Sequence, residues 1–446
     1  MRTTRTYTIP QTILQTVKSN ILDYCSKYKF SAYYDSNNFR YGDGNREKYG
    51  EFELLAAANA TLILSDSETI LGDVDHFMAT TPDWLFGYLT YDLKNRIHTT
   101  ESSKTSHFEF KDYLFFRPET VVTIKGEMLA IHSFLDGSTI DNLAIDLLTP
   151  NQKKSEVNRI AVNLEPTLAK EAYIEKVDGL KQHIKLGDIY EVNFCQEFSA
   201  TVNDLCPKQL FSQLKSTSPT PFSAWFRENN QYLLCASPER YIKKSGSLLF
   251  SQPIKGTCSR GDNDAEDKRN LENLLQSEKE ISENVMIVDL VRNDLSKLAT
   301  KGSVAVEECC QPYAFPQVFQ LISTISCELR DTLQFSDIIK ATFPMGSMTG
   351  APKLRAMQLA DSAETFRRGI YSGAVGFITP NGDFDFNVVI RSFVYNEASG
   401  YLSYSVGGAI TMLSEAEAEY SECLVKAQAM NKTLEALNGT DFDKNH

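Results

Sequence analysis

The chain has 446 residues, 42% hydrophobic and 23% charged, a composition that suits a soluble globular protein with a sizeable core. Its net charge of −13 argues against a nucleic-acid or anionic-membrane partner, so an anionic ligand would need local cations to reverse the field. No stretch approaches the roughly 18 uninterrupted apolar residues of a membrane span. Length alone suggests about three domains, a count that large sheet-based folds often undercut.

The opening stretch, MRTTRTYTIPQTILQ, has basic residues but no apolar run behind them, so no export signal is expected. A cytoplasmic setting with reduced thiols follows. The nine cysteines form no CxxC pair, Cys309 and Cys310 are adjacent, and most read as packing residues. The six histidines show no zinc spacing, which leaves a hard cation on carboxylates as the remaining metal option.

Short β-rich runs at Phe86–Tyr91 (FGYLTY) and Val121–Ile124 (VVTI) place strands in the first 150 residues. Residues 149–158, TPNQKKSEVN, read as a linker or long loop. Beyond them Tyr173, Val177, Leu180 and Ile184 recur at helical spacing over Lys170–Leu186, and Gly187 ends the helix. A strand over Glu191–Phe198 follows. Near the C-terminus Asn381-Gly382 between β-like runs signals a hairpin. Alternation in its second strand puts Phe384, Phe386, Val388 and Ile390 on one face and Asp383, Asp385, Asn387 and Arg391, with Val389, on the other. The last helix is predicted to open with a capping box, Ser414 and Glu417.

Three segments carry candidate chemistry. In QPIKGTCSRG, Lys255 stands beside Gly256 in a stretch that otherwise reads as tight backbone; a solvent-facing turn lysine is the plainer reading. Glu280 and Glu283 fall at i, i+3 on one helix, and Glu419, Glu422 and Lys426 at i, i+3, i+7 on another. Either acidic pair alone reads more simply as a solvated face. Brought together, the two pairs would offer oxygen ligands to Mg²⁺, since four close carboxylates cannot all stay ionised without a cation. The third segment, PMGSMTGAPK, leads into a helix, whose first amides can bind an anion; a plain capping loop is as good a reading.

PIKGT, KEISENVMIVDLVRND, GSMTGAPK, RGIYSGAVGF and the terminal ExxExxxK, taken in order, resemble the chorismate-utilising enzymes over about residues 165–430. That family includes component I of anthranilate and of aminodeoxychorismate synthase and the isochorismate and salicylate synthases. The resemblance implies an α+β fold, two packed β-sheets with helices on the outside. Residues 1–150 would contribute strands and helices to the sandwich, 160–436 would form the chorismate-binding catalytic domain, and 437–446 would be a polar tail. It implies a cleft for chorismate and Mg²⁺, with Glu280, Glu283, Glu419 and Glu422 at the metal. Gln196, Thr257, Gln320, Thr349, Gly350, Tyr371, Arg391, Gly407, Gly408 and Ala409 would line the substrate pocket, Tyr371 and Arg391 holding a carboxylate.

Two positions separate the family's branches. Gln196 stands where water-using members carry a lysine, and Lys255 where anthranilate synthases carry alanine. The pairing resembles the aminodeoxychorismate branch, in which the lysine attacks the ring and Glu239, in SPERY, serves as general acid/base. Anthranilate synthase component I and a binding-only paralogue are the alternatives. The amine needs a depressed pKa, expected here from burial, Mg²⁺ and Arg391. Gln320 replaces the family's usual histidine and cannot carry a proton at neutral pH. Cys258 lacks the setting of an amidotransferase nucleophile, so ammonia is expected from a separate glutamine amidotransferase subunit. The AYYDSNN stretch lacks the LLES pattern of tryptophan-inhibited relatives, so no tryptophan feedback is expected.

Overall fold

The computed structural model describes residues 2–39, 52–65, 67–150, 162–315 and 318–438. The predicted linker lies almost wholly outside these residues, as does the tail from 439 onward. No helix among the described residues is long and apolar enough to cross a membrane.

Two antiparallel layers make the body. In the first, Glu191–Thr201 pairs with Tyr401–Ile410, then in turn come Ser392–Asn396, Gln231–Ser237, Phe222–Glu228, Phe30–Asp35 and Leu54–Leu64. In the second, Tyr113–Lys125 pairs with Leu85–Leu89, followed by Ala374–Ile378, Phe384–Val388, Arg240–Ser245, Leu248–Gln252, Val318–Glu328 and Ile254–Ser259. The 54–64 and 113–125 strands join the layers. Strands from the first 150 residues therefore pair directly with strands beyond residue 220.

Alternation along the strands sorts the core. Ala32, Leu55, Phe86, Val121, Phe226, Leu233 and Val375 meet between the layers. Their neighbours Tyr33, Leu54, Val122, Trp225 and Leu234 turn outward under helices that include Leu14–Ser26 and Pro207–Thr217. Leu85, Phe115 and Ala374 turn outward on the other layer, where Phe115 meets Phe335 of the helix Phe335–Thr342. A strand with period two and both faces covered is apolar on both sides, and that is what makes two layers clad in helices the stable packing.

Two strands cross between the layers. One runs 231–237, passes Pro238 and Glu239, and continues as 240–245; the other runs 384–388, bends, and continues as 392–396. The bends are tied together: Val388 N donates to Glu239 O at 3.0 Å, and Ala236 N to Arg391 O at 3.1 Å. Arg391 has φ +51°, in the left-handed region. The alternation expected through Arg391 thus stops at Val388, because the chain leaves one sheet there for the other. The predicted hairpin closes with Gly382 at φ +80° and Ile378 opposite Phe384. The predicted helix is present as Lys170–Lys185. The capping box is not formed. The last helix begins at Ala416, Ser414 Oγ turns back to accept from Thr411 N at 3.0 Å, and Glu417 pairs with Lys170.

Candidate active site

Lys255 sits on a bulge. Ile254 faces Ile322 and Thr257 faces Gln320, and the register slips between them. Gly256 takes φ +94°, which a side chain disfavours, and a Cβ there would come within 3.0 Å of Leu321. The bulge removes Lys255 from ordinary alternation and aims it inward. Its side chain is 13% exposed, and Nζ donates to Glu191 Oε1 at 3.2 Å. The turn-lysine reading is thereby excluded.

The expected depression of the Lys255 pKa is not found. Burial disfavours the ammonium, but the charges of Glu191, then Glu283, and of Glu239 overcome it, and the value is pushed up to about 12. Sequence reasoning counted Mg²⁺ and Arg391 as the neighbours that matter; it did not see Glu191, 1% exposed at the start of its strand.

Glu239 lies at the crossover, 4% exposed, and accepts from Ser347 Oγ at 2.6 Å. Burial pushes its carboxyl up to about 7 against the pull of Ser347, Lys255 and Arg391. A carboxyl poised there can both give and take a proton near neutrality. The shift has a sign for stability. The folded state keeps a proton between about 4.5 and about 7 that the unfolded chain releases, so stability from this group is full at the acid end and is lost as pH rises, by roughly 3 kcal/mol. Glu239→Gln keeps an acceptor for Ser347 and removes the titration. Urea unfolding from pH 5 to 8 is expected to show the variant gaining on the native chain as pH rises, and losing activity at every pH. A difference that does not change with pH would remove the assignment.

The two acidic pairs meet, with a cation between them. Lys279 Nζ lies 3.2 Å from Glu419 Oε1 and 4.0 Å from both Glu283 Oε1 and Glu422 Oε2. Lys426 pairs with Glu422 at 2.8 Å and donates to Gly407 O at 3.1 Å. Burial, then Glu422, raises Glu280; burial pushes Glu283 up to about 7; Lys426 lowers Glu422. As the side chains stand, no three carboxylates among the described residues converge as ligands for an ion. Three of them nevertheless surround one ammonium, so the cluster accepts a positive charge at its centre.

A backbone cradle closes the site. The strand that starts at Glu191 has Gly350–Ala351 along one edge and Gly407–Ala409, opposite Cys195 to Asn193, along the other. Gly350 has φ +140°, and a Cβ there would lie 2.2 Å from Glu191 O; one on Gly407 would lie 2.4 Å from Cys195 Sγ. One on Gly408 would lie 3.3 Å from Glu419 Oε2, which puts this edge against the acidic cluster. Arg368 fastens the cradle. It pairs with Glu364 at 2.5 Å and donates to Asn193 O and Met348 O, each at 2.8 Å, while Glu364 accepts from Cys195 N at 3.0 Å.

The other predicted residues fall as follows. Arg391 is partly buried, and its guanidinium makes no hydrogen bond or ion pair with a described residue; burial lowers its pKa against the charge of Glu239. Tyr371 is buried and donates to Cys195 Sγ at 3.7 Å. Thr349 turns its hydroxyl to Met345 O and Gly346 O, so its backbone carbonyl, which accepts from Asn193 N, is what joins the cradle. Gln196 donates to Cys423 Sγ at 3.1 Å. Gln320 donates to Thr257 Oγ1 at 3.5 Å, and Thr257 is exposed on a groove that Glu280 also lines. Glu191 Oε2, Gln196 Oε1, Glu283 Oε1 and Gln320 Oε1 are buried without a hydrogen-bond partner. Unpaired buried acceptors are costly, so these four oxygens could each accept a hydrogen bond from a bound ligand or water.

Fold and site together define an α+β sandwich enzyme with a cluster of charged side chains between strand ends and two acidic helices. Residues 29–432 match the chorismate binding enzyme family, and the chain belongs to that family. It is 40% identical over 284 residues to a probable chloroplastic aminodeoxychorismate synthase of Oryza sativa subsp. japonica, a match covering 63% of this chain but only 31% of the rice protein. It is 30% identical over 383 residues to aminodeoxychorismate synthase component 1 of Bacillus subtilis, covering 82% of this chain and 80% of the other. Anthranilate synthase component I of Streptococcus pneumoniae shares the fold, with a TM-score of 0.73 at 24% identity, over 84% of this chain and 91% of that one. The packed-sheet architecture expected from the sequence is thus the fold of known structures.

Proposed function

We propose that this chain aminates chorismate to 4-amino-4-deoxychorismate, with Mg²⁺ bound and ammonia supplied by a glutamine amidotransferase subunit. The observation that carries the reading is Lys255, inward on its bulge, hydrogen-bonded to Glu191 and within the electrostatic reach of Glu239. In the proposed path the Lys255 amine adds at C2 of the ring while the C4 hydroxyl leaves as water. Ammonia then adds at C4 and the lysine departs. Glu239, near its titration midpoint at pH 7, gives the proton to the leaving hydroxyl. Glu191 Oε1, which accepts from Lys255 Nζ, would take the proton from the ammonium.

Freeing that amine at pH 7 from a value of about 12 costs roughly 7 kcal/mol. Glu191, Glu239 and the four cluster glutamates outnumber Lys255, Lys279, Lys426 and Arg391 before a dianionic substrate arrives, so the site needs further positive charge. Mg²⁺ held by Glu280, Glu283, Glu419 and Glu422 would supply that charge, screen Glu283 from Lys255, and anchor a substrate carboxylate. Lys279 would have to yield its place. Arg391, unpartnered, and the cradle backbone would hold the remaining carboxylate.

Calorimetry should show Mg²⁺ tightening chorismate and chorismate tightening Mg²⁺ by the same factor. Affinity for chorismate that ignores Mg²⁺ would refute the metal's part. The activity itself is tested with chorismate, Mg²⁺ and ammonium. An aminated ring that retains its enolpyruvyl group supports the proposal, whereas anthranilate with pyruvate, or binding without turnover, overturns it.

A further inference from the structure

Outside the cleft, the strand Ala305–Ala314 carries two cysteines on a bulge. Glu308 faces Thr324 and Gln311 faces Ile322, so Cys309 and Cys310 together oppose the single residue Ser323. Cys310 has φ +52°, a conformation costly for a side chain. The two sulfurs lie 3.9 Å apart; Cys309 is exposed, and Cys310 is half-buried against Leu274, Phe319 and Leu321.

The bulge is wired to the backbone of Lys255. Cys310 N donates to Ser323 Oγ at 2.9 Å, and Ser323 Oγ donates to Asn284 Oδ1 at 2.5 Å. Asn284 Nδ2 donates to Lys255 O at 2.9 Å and to Leu321 O at 3.2 Å. Ser323 and Asn284 are 0% and 2% exposed, so no solvent replaces these bonds if they break. Ser323 N also donates to Pro253 O, two residues before Lys255.

We propose that Cys309 and Cys310 are a site of reversible oxidation by peroxides, and that closing them into a disulfide shifts the Lys255 segment through Ser323 and Asn284. The exposed Cys309 attacks a peroxide oxygen as its thiolate. An S–O bond forms, the O–O bond breaks, and hydroxide leaves and is protonated to water, giving a sulfenic acid. Cys310 then attacks the Cys309 sulfur as its thiolate. The S–S bond forms, the S–O bond breaks, and the second oxygen leaves as water. Two thiols thus supply the two electrons that reduce one peroxide to two waters. Burial, and then Cys309, pushes the Cys310 thiol up to about 11, which suits it to the second, intramolecular step rather than the first.

Adjacent Cα atoms lie about 3.8 Å apart, short of the roughly 4.4–6.8 Å that disulfides prefer. The ring is therefore strained, and a thiol reductant opens it readily. Closing it requires the 309–310 peptide to turn, and that peptide's N–H is the one held by Ser323.

The test uses the full chain exposed to hydrogen peroxide, then alkylated and mapped by peptide mass. The peptide carrying Cys309 and Cys310 should resist alkylation and weigh two hydrogens less. Backbone hydrogen exchange over residues 254–257 should quicken. Dithiothreitol should reverse both changes, and Cys309→Ser should show neither. Amination should fall about tenfold or more on oxidation, as small misplacements of a reacting group do. Both thiols still alkylated after peroxide, or exchange at 254–257 that does not respond to a formed disulfide, would overturn the proposal. The mass and exchange readouts do not depend on turnover, so they stand or fall separately from the chorismate reading.

Discussion

Lys255→Ala is expected to lower the amination rate by about a hundredfold or more, equivalent to about 3 kcal/mol of barrier, while chorismate still binds. The physical ground is geometric. The bulge at Gly256 aims this side chain inward onto Glu191, whereas Lys279 and Lys426 are ion-paired within the acidic cluster. The substitution also strips Glu191 Oε1 of its donor beside Oε2, which already lacks one. Some stability is therefore lost, and the rate has to be measured below the variant's own melting temperature. Lys255→Met, which fills the same space, separates the two effects. Pyruvate and aminated product are followed in the same assay. An alanine variant that aminates at the native rate would end the proposal.

The second large effect is on stability. Arg368 and Glu364 form a buried pair, 5% exposed each, and the guanidinium also stacks 4.4 Å over the Tyr91 ring. Arg368→Ala strands the Glu364 carboxylate and leaves Asn193 O and Met348 O without their donor. A loss of about 3–5 kcal/mol is expected in urea unfolding. The double variant Arg368→Ala, Glu364→Ala should lose less than the single one, because no charge is left buried. A loss below about 1 kcal/mol in the single variant would show that the cradle is held by other contacts.

Much of the site was legible because its residues sit in short motifs whose types are chemically unusual. A lysine before a glycine, acids at i, i+3, and small residues ahead of a helix each stand out in one dimension. Their assembly was not legible from spacing: residues 280–283 and 419–422 are brought together by the sheet, and only the resemblance carried that. Glu191 was missed because an acid at the start of a strand is ordinary until its partner is known. Lys279 was passed over inside a quoted motif, and with it the fact that the acidic cluster already holds a cation. Arg368 and Glu364 stand at i, i+4, a spacing that could have signalled the pair. The direction of the Lys255 shift came out reversed because charge is summed in space, and the three groups that raise it, Glu191, Glu283 and Glu239, all lie over fifteen residues away in sequence. The capping box failed because a three-residue turn before the last helix claimed the serine first.

Glu239 and Arg391 stand where two strands leave one sheet for the other. The groups proposed to handle the proton and to hold the anion are thus both mounted on the joints of the sandwich rather than on either slab. Any shear of one slab over the other alters the gap between them directly. Trimming an interlayer side chain such as Phe226 is therefore expected to lower the proposed turnover by loosening the joints, even though it sits on the strand beside the crossing one.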